Sequence, residues 1–288
     1  MKYYFLSSSH LENRIWFRDD EDFKAGMNFV ALAAAHCGVA LLVFVLMSNH
    51  VHFLLAANYE MEAREFFSYF KKVYSQYLNR KYRTLRFLRE NVLDCQEVSA
   101  LKEHLERVIA YILMNPVAAN IVLHPVQYPW GCGNCFFTAR NLKGRKVGSM
   151  GYRERRRILH SHQSFGENNI LGEDGYILPE SFVRKDMVEA IFRTPNRLNY
   201  FLNNSSKARK VLESENGMLP SFQDKCLVIM TRDICASLFR KTELSDLTDR
   251  EKKRLVYELH RRSGADLKQL SRVLEMSPAY VAEILSQL

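Results

Sequence analysis

Val39-Ala40-Leu41-Leu42-Val43-Phe44-Val45-Leu46-Met47-Ser48-Asn49-His50-Val51-His52-Phe53-Leu54-Leu55-Ala56 is the stretch on which the fold turns. Residues 39–47 form an apolar run of strand length, which predicts a central, buried strand. Ser48-Asn49 is a turn, and residues 50–56 alternate and return as the antiparallel neighbour. Upstream, residues 2–9 read as a strand and residues 14–17 as a second short extended piece. Asp19-Asp20-Glu21-Asp22 opens a helix, because carboxylates are favoured at the positive end of the helix dipole. An Ala-rich helical segment, residues 23–36, follows, with Gly38 where a C-terminal cap belongs.

Downstream come an amphipathic helix over residues 63–82, an extended stretch over 87–98 and a helix over 99–116. The last is expected to start on a Ser99 cap, with Lys102-Glu103 and Glu106-Arg107 facing solvent. This order describes an α+β unit, an antiparallel sheet with helices on one face. Tyr128-Pro129-Trp130-Gly131 closes it, so residues 1–137 are read as the first domain. Residues 138–240 are read as a basic linker, rich in Gly, Arg, Ser and Asn to about 175, and a mostly helical middle segment. Residues 241–288 are read as a helix-turn-helix: helices over 245–262, 266–274 and 277–288, with Pro278 in the first helical position after Ser277.

Composition narrows the function. The 288 residues are 47% hydrophobic and 25% charged, which excludes wholesale disorder. The longest apolar run is far short of the roughly 20 residues that a bilayer requires. Six scattered cysteines point to a reducing compartment, and the expected location is the cytoplasm. Lys and Arg exceed Asp and Glu by 9, and the excess is concentrated. Residues 64–89 and residues 140–157 each hold eight basic residues and one acid. Such clustering is how a phosphate-backbone footprint looks in one dimension. Lys71, Lys72, Arg80, Lys81, Arg83 and Arg86 are the candidate DNA contacts of the first window, where aromatic residues interleave with the cations. Arg261, Arg262, Lys268 and Arg272 are the candidate phosphate contacts of the terminal helices. The exposed positions of the last helix, Ser277, Ala279, Tyr280 and Glu283, lack an Arg or Asn for bidentate base reading.

Two motifs carry chemistry. In His50-Val51-His52, strand alternation sets both imidazoles on one face while Val51 points to the core. Two such imidazoles are half of a divalent-metal site, and a solvent-facing pair is the plainer alternative. In Ala110-Tyr111-Ile112-Leu113-Met114-Asn115-Pro116, residues four apart stack on one helix face, so the Tyr111 phenol and the Asn115 amide address one point. A core tyrosine with Asn115 ending the helix before Pro116 is the plainer alternative there. Taken together, His50, His52 and the side-chain oxygen of Asn115 could hold a metal beside Tyr111. That set would suit attack on a phosphodiester, with the metal as Lewis acid and the phenol as nucleophile. Cys132-Gly133-Asn134-Cys135 lacks a second cysteine pair and is read as reduced structural thiols. His160-Ser161-His162 lies in the linker and is read as solvated.

Met47-Ser48-Asn49-His50-Val51-His52-Phe53-Leu54-Leu55 resembles the His-hydrophobe-His block of single-tyrosine transposases. The segment from Ala110 to Ala118 resembles the nucleophile helix of their REP-associated branch, and Tyr128-Pro129-Trp130 agrees in order and spacing. The resemblance covers about residues 1–135. It implies a ferredoxin-like nuclease fold, often dimeric, that acts on single-stranded or hairpin DNA with Mg²⁺ or Mn²⁺. By the same resemblance His50 and His52 would be metal ligands, Tyr111 the nucleophile, and Asn115 would stand where relatives place a third polar ligand. The products would be a 5′-phosphotyrosine and a free 3′-hydroxyl. Arg83-Thr84-Leu85-Arg86-Phe87-Leu88-Arg89-Glu90-Asn91 departs from the family by lacking its Gly and Trp, and Pro129-Trp130-Gly131-Cys132 replaces its Pro-Trp-Ser-Ser. Two other readings are a DNA-binding regulator with an idle nuclease fold and a metal phosphodiesterase that uses water.

Overall fold

The structure, a computed structural model, describes residues 1–9, 15–83, 88, 92–138, 142–160, 166–205, 224–263, 265 and 267–286. Its first unit runs β1 (Lys2–Ser9), α1 (Asp20–Cys37), β2 (Ala40–Met47), β3 (His50–Ala57), α2 (Glu60–Tyr82), β4 (Val92–Val98), α3 (Lys102–Leu113) and the short α4 (Asn115–Ala118). The strands form one antiparallel sheet in the order β2-β3-β1-β4. This is the expected α+β architecture, with the order of a βαββαβ sandwich.

Local chemistry explains the boundaries. Asp19 caps α1 by accepting from the Asp22 amide at 2.9 Å. Gly38 ends the helix in the left-handed conformation, φ 65°. The second extended piece does not become a strand. The Trp16 and Phe17 amides instead donate to the Ser48 carbonyl at 2.8 and 3.0 Å, which ties this loop to the β2–β3 turn. Ser99 does not cap α3 either; its hydroxyl accepts from Leu101 N, and the helix opens at Lys102.

Strand alternation divides β3 between two layers. Phe53 packs against Phe66, Phe67 and Phe70 of α2, with ring centroids 5.1 to 6.3 Å apart. His50 and His52 therefore lie on the opposite face, which α3 covers over its β2–β3 half. The edge of β2 is closed by residues 130–132. Leu46 N donates to Trp130 O at 2.8 Å, and the Tyr128 hydroxyl donates to Leu46 O at 2.8 Å. A Cβ on Gly131 would stand 3.0 Å from Phe44 O, so the close approach suits glycine there.

The described residues of 142–178 depart from the linker reading, whereas residues 179–203 are mostly helical as expected. Beyond the short pair β5 (Arg145–Lys146) and β6 (Ile170–Leu171) the two stretches form α5 (Tyr152–Ile158), α6 (Lys185–Phe192) and α7 (Pro195–Asn203). Val147, Met150, Leu159, Ile177, Val188, Phe192 and Leu202 join the same buried core as the sheet. Between residues 142 and 178 the apolar residues are single and spaced among many polar ones, so composition masked the burial of Val147, Met150, Leu159 and Ile177. Glu106 is likewise not solvent-facing. It is fully buried, and the Arg197 guanidinium of α7 reaches it through two nitrogens, Nη2 to Oε2 at 2.8 Å.

A second core lies in α8 (Asp224–Ile234), α9 (Asp249–Ser263), α10 (Leu267–Leu274) and α11 (Pro278–Ser286). Ile15, from the loop before α1, is buried in it. The last three helices follow the expected order, and Ser277 Oγ accepts from Tyr280 N at 3.3 Å ahead of α11.

Gly26 supplies a test of this packing. A Cβ there would meet Phe17 Cε1 at 2.5 Å, and the Phe17 ring is held between Phe23 and Tyr74 at 4.7 and 4.8 Å. In urea denaturation, Gly26→Ala should destabilise by about 1–3 kcal/mol. The usual helix-interior gain on replacing Gly with Ala would contradict it.

Candidate active site

The site is built where β3 faces α3. The register sets His52 opposite Val45 on β2 and Ser7 on β1, with His50 opposite Met47 at the hairpin end. The two imidazole centroids are 4.9 Å apart at 78°, and the Tyr111 ring lies 5.9 Å from that of His52. Three rings brought from two elements are thus adjacent. Sequence reasoning missed the fourth ring. Phe5 of β1 stacks on His52 at 5.6 Å and 17° and meets Tyr111 edge-on at 6.1 Å. Its signal is the register: Phe5 is two residues from Ser7 and so shares the face of His52. Without the pairing, that face could not be assigned.

Asn49 is a second unforeseen participant. Its Oδ1 lies 2.8 Å from His50 Nδ1. That contact favours the Nδ1–H tautomer and leaves Nε2 as the electron-pair donor, the arrangement that a ligating histidine uses. Asn115 is buried, and its Nδ2 donates to the carbonyls of Tyr111 and Ile112 at 3.0 and 3.1 Å. The amide hydrogens are thereby committed to the helix end, and Oδ1 is the group left to accept or to ligate. The donor set of two imidazoles and a neutral amide oxygen fits a divalent cation chemically. Among the described residues no group of three or more His, Cys, Asp or Glu side chains is placed to hold a metal ion. Burial pushes the Tyr111 phenol above its ordinary range.

The cationic candidates separate into several kinds. Lys72, Arg80, Arg83 and Arg272 are exposed, and Lys71 is half-buried. Lys81 is held by Asp19 and Asp22, each at 2.7 Å. Arg261 bonds Asp20 and Glu258, both at 3.2 Å. Arg262 is a correction. Its side chain is only 4% exposed and bonds Glu258 at 2.9 Å, so it faces the interior and not a phosphate. Its carbonyl accepts from Ser48 Oγ, two residues from His50, which joins the terminal helices to the β2–β3 turn. Arg86 and the side chain of Lys268 lie outside the described residues.

His160 is also a correction: it is half-buried with its ring 5.1 Å from that of Tyr77, and burial lowers its pKa. Ser161 and His162 lie outside the described residues. Cys132 and Cys135 are free, buried thiols, and Cys132 Sγ accepts from Phe44 N at 3.2 Å.

Residues 11–111 match the family described as Transposase IS200 like. That match supports an IS200-like transposase domain over residues 11–111, a stretch that includes His50, His52 and Tyr111. No curated protein and no solved structure matches the chain. Among the described residues no helix is long and apolar enough to cross a membrane.

Burial raises the Cys132 thiol to about 12, which leaves almost no thiolate at neutral pH. Ellman's reagent on the native protein at pH 8 should leave Cys132 and Cys135 unmodified, with release on denaturation. Rapid native labelling of either, located by mass spectrometry, would contradict their structural assignment.

Proposed function

We propose that the protein is a transposase of the REP-associated branch. In this reading it cleaves and rejoins single-stranded or hairpin DNA of repetitive palindromic type, with Tyr111 as nucleophile. His50 and His52, with Asn115 Oδ1, would hold a divalent cation such as Mg²⁺ or Mn²⁺. The observation that carries this reading is the adjacency of the two imidazoles and the phenol, with ring centroids 4.9 and 5.9 Å apart. The Asn115-Pro116 block and Tyr128-Pro129-Trp130 support the branch.

The chemistry follows from the residues. The Tyr111 oxygen attacks the scissile phosphorus and loses its proton. The P–O3′ bond breaks as the Tyr–O–P bond forms, and the departing 3′ oxygen takes up a proton. A 5′-phosphotyrosine and a 3′-hydroxyl result, and reversal of the step on a second strand rejoins the DNA. A phenol, with an ordinary pKa of about 10 and far more acidic than an alcohol, is a workable leaving group for that reversal, although burial pushes Tyr111 upward. A cation bound to the imidazoles supplies Lewis acidity to the phosphate oxygens. Phe5 fixes the orientation of His52 and Tyr111, and Asn49 fixes the tautomer of His50. Lys72, Arg80, Arg83 and Arg272 are the side chains we assign to the DNA backbone, and α9–α11 form a helix-turn-helix-like unit that adds affinity without base reading.

Two outcomes check this. Tyr111→Phe should abolish the covalent protein–DNA adduct on a denaturing gel while keeping single-strand affinity, and an undiminished adduct would remove Tyr111 from the role. Asn49→Ala should weaken Mn²⁺ binding by roughly 10–100-fold in calorimetry, the usual effect of losing a group that orients a ligand. An unchanged affinity would exclude the His50 assignment.

A further inference from the structure

The two basic stretches of the sequence, far apart along the chain, meet at one place. A cavity of about 460 Å³ lies between the start of α1, the end of α2 and α5, lined by Glu21, Tyr77, Arg80, Lys81, Arg156 and His160. Arg80 comes from the first window and Arg156 from the second. We propose that this cavity binds one nucleotide of a single-stranded DNA segment, its phosphate on Arg80 and Arg156 and its base against the rings of Tyr77 and His160. The proposal deepens the transposase reading and rests on DNA as the substrate.

Four observations carry it. The volume falls within the roughly 300–1,000 Å³ of small-ligand pockets. Its charge is unequal: Lys81 is neutralised by Asp19 and Asp22, and Glu21 bonds Lys24, whereas Arg80 and Arg156 have no ion-pair partner among the described residues. Both guanidiniums are exposed and able to take a phosphate in bidentate geometry. The apolar wall is aromatic, with Tyr77 and His160 5.1 Å apart, and base stacking on such rings is tolerant of sequence. Finally, His160 is held at φ 54°, a conformation that a non-glycine residue adopts at a cost and that gathers at functional sites.

The cavity is also tied to the candidate active site. The Tyr74 hydroxyl, one turn before Tyr77 on α2, donates to Trp16 O at 2.7 Å, and Trp16 N donates to Ser48 O, next to Asn49 and His50. Because α5 lies beyond the matched residues 11–111, the second arginine is supplied by the part of the chain that follows the transposase domain.

The test measures anisotropy of a labelled strand of thirty thymidines on the full chain, across a salt series and without divalent cation. All proteins carry Tyr111→Phe, so that strand binding is read apart from cleavage. Arg80→Ala/Arg156→Ala should raise Kd roughly ten- to thirtyfold at 0.1 M salt and reduce the salt slope by about 0.7, the loss of the one single-strand phosphate contact that both guanidiniums share. Arg80→Lys/Arg156→Lys, which keeps both charges, should recover most of the slope, and His160→Ala should lower affinity with the slope unchanged. Equal Kd and slope for the double alanine variant, at unchanged circular dichroism, would overturn the proposal. Displacement by dTMP with no effect of the variants on the strand would give the cavity to a free nucleotide and also overturn it. Failure of wild-type protein to form an adduct, with these binding effects intact, would sink the transposase chemistry alone.

Discussion

The period-two alternation of β3 is the constraint on which the remainder depends. Val51, Phe53 and Leu55 must face α2 to complete the core, and that demand alone turns His50 and His52 to the other side. A one-residue slip would press two imidazoles against the phenylalanines of α2 and turn Val51, Phe53 and Leu55 toward α3, so the core itself enforces the position of the histidines. Pairing on both edges of β3, to β1 and β2, removes any freedom to drift. The site thus gains its rigidity from hydrophobic packing on the face opposite to the chemistry.

The chain beyond the matched domain is more than an appendage. Its middle segment buries apolar residues in the sheet's own core, and α7 sends Arg197 to the buried Glu106, one and a half turns from Tyr111 along α3. The terminal helices accept Ile15 into their core and meet Ser48 through the Arg262 carbonyl. Both extensions therefore bear on elements that present the candidate catalytic residues: α3 from one side and the β2–β3 turn from another. The buried Glu106 is tolerated because a guanidinium reaches both carboxylate oxygens.

Much of this was legible in the sequence where a pattern was strong. The apolar run before Ser48-Asn49, the carboxylate-rich start of α1 and Gly38 at its end each correspond to a local energetic rule, and each appears in the fold. The pair His50 and His52 was legible for the same reason. What the sequence hid were partnerships between distant residues. Glu106 reads as a solvent-facing carboxylate until Arg197 is placed beside it, and Arg262 reads as a surface cation until Glu258 and the turn enclose it. Phe5 joins the site only through the β1–β3 register, and residues 142–178 lacked periodicity although Val147, Met150, Leu159 and Ile177 pack in the core.

Placing a 3-fluorotyrosine at position 111 and following its ¹⁹F resonance as Mn²⁺ is added tests the central claim most directly. Convergence of phenol and imidazoles on one cation predicts that the resonance broadens on stoichiometric addition and stays sharp in a His50→Ala/His52→Ala background. A resonance that remains sharp while Mn²⁺ is bound, or one that broadens equally without the two histidines, would contradict it.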